Sequence, residues 1–362
     1  MHLSLTVPPD TPLGRRDLRT LPKAHLHLHF TGAMRPGTLI DMAREQGARL
    51  PAHLLDLDPL TVPADARGWF RFQRSYDCAR ALVRSETAMR RIVREAAEDE
   101  AAEGSVRLEM QVDPTSYAPW VGGLTPALEI VLDEARAASH ATGVQVSIIV
   151  AASRTRHPLD ARTLARLAAQ YAGTGPGEVV GFGLSNDERV GETSAFAHAF
   201  RIARDAGLVS TPHGGELLGP DSVRHVLDTL APRRLGHGVR ASEDRDLLHF
   251  LVDQGVAFEV CPASNVHLGV YHDLSQVPLP ILMEAGATVA LGADDPLLFH
   301  SRLLAQYAAA RDIHGFSDAQ LAVLAHHSID ACIADEFSQR QWHADIDAWL
   351  AAPPTSVQPD IK

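Results

Sequence analysis

The residues of this 362-residue chain best suited to chemistry are histidines and acids that follow short apolar runs. His27-Leu28-His29 closes one such run, His213 a second within His-Gly-Gly-Glu, His237 a third within Gly-His-Gly, and Asp294-Asp295-Pro296 a fourth. Residues two apart on a strand face the same side, so His27 and His29 can point into one site. Three neutral imidazoles and a carboxylate suit Zn2+, which takes nitrogen and oxygen donors where thiolates are lacking. The set therefore reads as one zinc ion per chain, held by His27, His29, His213 and Asp294. Such an ion lowers the pKa of a bound water from about 15.7 to about 7, giving hydroxide at neutral pH. Glu216, three residues beyond a ligand and at the start of a loop, is placed to carry a proton. His237 and Asp295 remain to orient the hydroxide and bind substrate. Glycines 214, 215, 236 and 238 let backbone approach an ion or ligand closely.

Composition removes competing chemistries. There are 19 histidines against 3 cysteines, and only two lysines, Lys23 and Lys362, against 31 arginines. Cys78, Cys261 and Cys332 are far apart and form no C-x-x-C, so a disulfide scaffold, a thiolate zinc knuckle and an iron–sulfur cluster are unsupported. No Gly-Lys-Ser/Thr provides a Walker loop. A net charge of −12 without a basic run argues against a nucleic-acid partner. No stretch approaches the ~18 apolar residues of a membrane helix, and the first twenty residues do not read as a signal peptide. A cytoplasmic location is expected. The lysine shortage by itself is explained as well by codon preference as by function.

The elements that must position these residues follow from patterning. Eight compact apolar runs read as buried strands: 24–29, 106–113, 144–152, 179–184, 208–213, 234–237, 256–261 and 287–294. Helical patterns over 86–103, 125–141, 160–171, 194–207, 221–230 and 243–254 separate many of them, most closed by glycine or proline. Eight strand–helix alternations predict an α/β fold, a closed (β/α)8 TIM barrel occupying residues 1–350 as one domain, with 351–362 a disordered tail. Extra helices are expected in 30–105, after the first strand, and in 296–350 at the C-terminus. The latter includes a capping-box start at Ser317–Gln320. In a barrel, such additions after strand ends sit at the catalytic face. Trp69, Phe72 and Tyr76 share one helix face, either packing on the barrel or forming a lid that excludes water.

The motifs PKAHLHLHFTGA (22–33), GFGLSNDE (181–188), PHGGE (212–216), RLGHG (234–238), CPASN (261–265) and LGADDP (291–296) together closely resemble the adenosine deaminase family of the amidohydrolase superfamily. The resemblance spans 20–300 with the motifs in the family's order and spacing. It implies the same barrel, a single zinc on His27, His29, His213 and Asp294, and hydrolytic attack at purine C6 with loss of ammonia. It further implies that Glu216 protonates purine N1, His237 supports the hydroxide and Asp295 hydrogen-bonds N7. Two positions depart from adenosine deaminases: Thr31 replaces an acidic residue that binds the ribose 5′-hydroxyl, and Asn186 replaces a glycine beside the sugar and purine edge. Thr31, Asn186, Trp69 and Phe72, with Asp295 and His29, are accordingly the expected substrate contacts. The partner is a small 6-aminopurine nucleoside or base, with water as co-substrate. Relatives of this kind act on adenosine, adenine or 6-amino-6-deoxyfutalosine of menaquinone synthesis, and the lost carboxylate at Thr31 suits a modified 5′ end.

Other readings make different demands. A two-metal hydrolase of the same barrel type often bridges its metals through a carboxylated lysine at a mid-barrel strand. Lys23 precedes the first ligands and Lys362 is the last residue, so no lysine is available. A purine-binding protein without catalysis predicts a lost ligand or acid, and none is lost. His25 reads as a supporting group, Asp187 and Glu188 as ion-pair partners, and Cys261 as packing. The oligomeric state is left open.

Overall fold

The computed structural model describes residues 15–56 and 58–354. Eight strands run in parallel in sequence order: β1 (Lys23–His29), β2 (Ser105–Val112), β3 (Gln145–Ser153), β4 (Val179–Ser185), β5 (Val209–Gly214), β6 (Arg234–His237), β7 (Ala257–Val260) and β8 (Val289–Leu291). Helices cover the outside, so strands buried on both faces read as continuous apolar runs, as in the QVSIIVAAS of β3. The sheet closes where a parallel bridge joins Leu28 to Asp294. There the Asp294 N–H donates to His27 O at 3.0 Å and the His29 N–H to Asp294 O at 3.0 Å. The fold is the (β/α)8 barrel that the alternation predicts.

The last strand is shorter than the expected 287–294. After Leu291 the chain must turn into the barrel mouth, and Asp294 adopts a left-handed backbone with φ 62°. The pattern over 194–207 divides into a 3-10 turn, Thr193–Phe196, and a helix, Ala197–Asp205. The long segment after β1 holds α1 (Pro36–Glu45), α2 (Ala66–Arg80) and α3 (Glu86–Ala102), of which α3 leads into β2. At the far end, the helix Asp318–Ala331 begins with the expected capping box between Ser317 and Gln320. The final helix, Glu336–Ala351, enters the first residue of the predicted tail. Residues 355–362 of that tail, and residues 1–14, lie outside those described.

The barrel interior beneath the site is ionic, which the apolar reading of the strands did not anticipate. Arg234 Nε lies 2.7 Å from Glu259 Oε1, and its Nη2 lies 2.7 Å from Glu109 Oε2. Arg107 Nε faces Glu109 Oε1 at 3.4 Å. All four side chains are buried. Mutual pairing offsets a desolvation cost of several kcal/mol per ion.

Candidate active site

The strand ends assemble the site. β1 delivers His27 and His29, β5 His213, β6 His237, and the turn after β8 Asp294. One ring nitrogen of each of His27, His213 and His237 and one Asp294 oxygen lie within 4.8 Å of one another, all in buried side chains. His29 stands beside this group, its Nε2 3.1 Å from Asp294 Oδ1, while His27 Nε2 is 3.5 Å from the same oxygen. Gly236 makes the crowding possible. A Cβ there would sit 2.9 Å from His27 Cε1 and 3.1 Å from His213 Nδ1.

The donor set suits a metal cation. His27 Nε2, His213 Nδ1 and His237 Nε2 are buried without a hydrogen-bond partner, and unpartnered buried nitrogens are costly unless something coordinates them. His27 donates its other nitrogen, Nδ1, to Glu259 Oε2 at 2.7 Å, the carboxylate support that orients ligand histidines. Asp294 Oδ2 accepts from Ser264 Oγ at 2.6 Å. Burial opposes charge on His27, but Asp294 and Glu259 outweigh it and raise its pKa to about 10. The field that favours a proton there also favours a cation. Burial and the neighbouring imidazoles hold His213 well below the usual histidine range, and burial lowers His237 to about 3, so both are neutral donors. Burial would raise the Asp294 carboxyl, yet His27 and His29 keep it well below the usual range, hence ionised.

Two further carboxyls behave oppositely. Burial, then the charge of Asp294, pushes Glu216 and Asp295 well above the ordinary carboxylate range, so each keeps a proton to donate. Glu216 Oε1 lies 3.5 Å from His237 Nε2. Asp295 Oδ1 is buried without a partner. Asp295 approaches closely because residue 32 is glycine: a Cβ there would fall 1.8 Å from Asp295 Oδ1 and 2.7 Å from its Cα.

These groups line one cavity of about 700 Å3, open at its mouth. Trp69, Phe72, Gln73, Tyr76 and Arg80 of α2 form one wall at helical spacing. Phe72 also stacks on Phe299 at 5.7 Å and 8°, so the aromatic face both packs on the barrel and covers the cavity. Asn186 lines the cavity with φ 81°, a conformation that glycine adopts freely and asparagine tolerates best among other residues. Thr31 is fully buried, its hydroxyl 2.6 Å from Tyr117 Oη, and it is Tyr117 that reaches the cavity wall. His25 is a support: Nδ1 bonds Glu100 at 2.7 Å and Nε2 accepts the Ala293 N–H at 2.9 Å. Sequence reasoning passed over Gln111, Asp113, Ser153 and Ser185, which line the cavity from the ends of β2, β3 and β4. Their strand-end position was the available signal.

A family model described as Adenosine deaminase matches residues 22–349. A candidate adenosine/adenine deaminase of Streptomyces virginiae is 57% identical over 336 residues, covering 92% of this chain and 98% of that protein. An adenine deaminase of Rhizobium leguminosarum is 34% identical, covering 88% and 97%. Among solved structures, adenine deaminase from Arthrobacter aurescens superposes with a TM-score of 0.83 at 26% identity, covering 92% of this chain and all of that one. Arabidopsis ADAL complexed with IMP gives 0.80 at 26% identity, covering 91% and 97%.

Proposed function

The chain belongs to the adenosine deaminase family of aminohydrolases, and from that membership we propose that it is a zinc enzyme converting a 6-aminopurine nucleoside and water to the 6-oxopurine nucleoside and ammonia. The observation that carries the reading is the convergence of the buried His/Asp donor set with two further buried carboxyls, Glu216 and Asp295, in one cavity. His27, His29, His213 and Asp294 would hold the zinc, with His237 beside them, and the ion when bound would supply Lewis acidity that lowers the pKa of water.

The protein's own groups do the rest. Protonated Glu216 gives its proton to purine N1, which draws electrons from C6 and opens it to attack. Neutral His237, beside Glu216, takes the proton that the attacking water gives up. As the C6–N bond breaks, the amino group takes the proton held by His237 and leaves as ammonia, while the C6 hydroxyl returns a proton to Glu216 as the carbonyl forms. Purine N7 is an acceptor, so protonated Asp295 can donate to it and fix the ring. Trp69 and Phe72 exclude bulk water over the base.

A nucleoside is favoured over a bare base by further polar groups that line the cavity. Asp113, Ser116, Ser153 and Ser185 line it with a carboxylate and hydroxyls suited to sugar hydroxyl groups. Free adenine is the second reading, because the 34%-identical relatives are adenine deaminases. Ammonia release from adenosine, 2′-deoxyadenosine, adenine and 6-amino-6-deoxyfutalosine, ranked by kcat/KM, tests both, alongside metal analysis expecting one zinc per chain. A nucleoside should rank first. Preference for adenine overturns the nucleoside assignment, and no ammonia from any of them overturns the enzyme's assignment to 6-aminopurines.

A further inference from the structure

Glu188 does not reach the cavity, yet it holds the backbone that carries Glu216. The sequence suggests an ion-pair role for Asp187 and Glu188 alike. Asp187 fulfils it, binding Arg189 Nε at 2.8 Å. Glu188 makes no ion pair among the described residues. Its Oε2 instead accepts three consecutive backbone N–H groups, from Glu216 at 3.2 Å, Leu217 at 2.7 Å and Leu218 at 2.8 Å. Successive amides aimed at one point form a concavity that binds an anion. Here the anion is a side chain from the end of β4, 5% exposed.

The other end of the same turn is held by the opposite charge. Arg154, which follows β3 and is also buried, donates Nη2 to the His213 carbonyl at 2.9 Å and Nη1 to Thr193 Oγ1 at 2.8 Å. A guanidinium thus takes the carbonyl end of the 213–218 segment and a carboxylate takes its amide end. Gly215 between them is left-handed, with φ 77°. The Glu216 carboxyl accepts no hydrogen bond from the described side chains, and His237 Nε2 stands 3.5 Å away. Backbone placement therefore decides where the Glu216 proton is presented.

We propose that Glu188 is a positioning residue for Glu216, with Arg154 anchoring the same turn at His213; this rests on the deaminase reading of Glu216. A displacement of about 1 Å in a reacting group costs up to about a hundredfold in rate, so the expected effect is on kcat. Glu188→Ala should lower kcat at least about tenfold, change KM less than about threefold, and leave the bound metal in place. Glu188→Gln, which keeps an acceptor oxygen without the charge, should recover part of that loss. The decisive measurement is a double-mutant cycle. Because Glu188 acts through Glu216, adding Glu188→Ala to Glu216→Gln should lower kcat less than about twofold further. Equal losses in both backgrounds, or a loss that tracks lost metal or a lowered melting temperature, overturn the proposal. Should Glu188→Ala fail to fold, Glu188→Gln carries the same cycle. Glu216→Gln as active as the unaltered enzyme would remove the premise that Glu216 is the acid, a result distinct from additive losses, which remove the role of Glu188 alone.

Discussion

Asp294 and Asp295 adjoin in sequence but are held in opposite protonation states by what surrounds them. Asp294 faces His27 and His29 and stays ionised; Asp295, buried beside that charge, stays protonated. Asp294 sits in a left-handed turn with its carboxylate on His29 and Ser264, while the Asp295 carboxyl lies against Gly32. Gly32 is the residue on which this arrangement depends. Gly32→Ala should leave a folded barrel whose Asp295 is displaced, with kcat/KM for the best purine substrate reduced about a hundredfold or more. Near-normal activity in this variant would show that Asp295 does not need its observed position. Glu216 and His213 separate acid chemistry from metal retention. Glu216→Gln should keep its zinc and lose about 10²–10⁴ in kcat, while His213→Ala should lose both. Metal content by elemental analysis with parallel kinetics distinguishes them. Residue types at this scale were legible from the chain, because H-x-H, HGGE and DDP carry their chemistry locally. Thr31 was not: its hydroxyl is taken by Tyr117, 86 residues away, and no local pattern encodes that partner.

At the scale of elements, β1 is held from two sides so that its histidines stay fixed. His25 on β1 binds Glu100 of α3 and accepts an N–H from Ala293, just before the Asp294 turn. Burial would raise the Glu100 carboxyl, but His25 and Arg302 outweigh it and lower its pKa to about 2. A carboxyl whose pKa is lower folded than unfolded stabilises the protein above its unfolded pKa, and that stabilisation fades as pH falls through the folded value. Between about pH 4.5 and about pH 2 the chain should therefore lose on the order of 3 kcal/mol from this one group. Glu100→Gln should lack that component, read as a flatter stability–pH curve in urea unfolding; parallel curves for the two proteins would refute it. The α2 face was legible as an aromatic stripe, since a 3.6-residue period aligns Trp69, Phe72 and Tyr76. Which way it pointed was not. Packing of Phe72 on Phe299, beyond β8, turns the stripe over the cavity.

The described residues form a closed barrel whose first and last strands meet at the proposed metal site, so metal binding, closure and stability should be coupled. The backbone bonds between His27, His29 and Asp294 join first strand to last at the residues proposed as ligands. A cation that binds only the folded chain stabilises it in proportion to RT ln(1 + [L]/Kd), about 4 kcal/mol at a thousandfold excess over Kd. Chelation should accordingly abolish ammonia release and lower the melting temperature by about 5 °C or more, with added zinc restoring both. An unchanged melting temperature after verified metal removal would mean that these nitrogens are satisfied without an ion. Among described residues no helix is long and apolar enough to cross a membrane, in keeping with the polar, acidic composition.

The chain by itself determined the strand–helix alternation, the chemical types gathered at strand ends, and the absence of a lysine for a two-metal bridge. These properties are local, written in periodicity and residue identity over a few positions. Only the tertiary structure decided that His237 joins His27, His213 and Asp294 within 4.8 Å, that His27 leans on Glu259 across 232 residues, and that Glu188 holds the backbone of Glu216. Those partners meet because barrel closure brings strand ends together in three dimensions. The curvature that does so is a property of all eight strands at once and of no single segment.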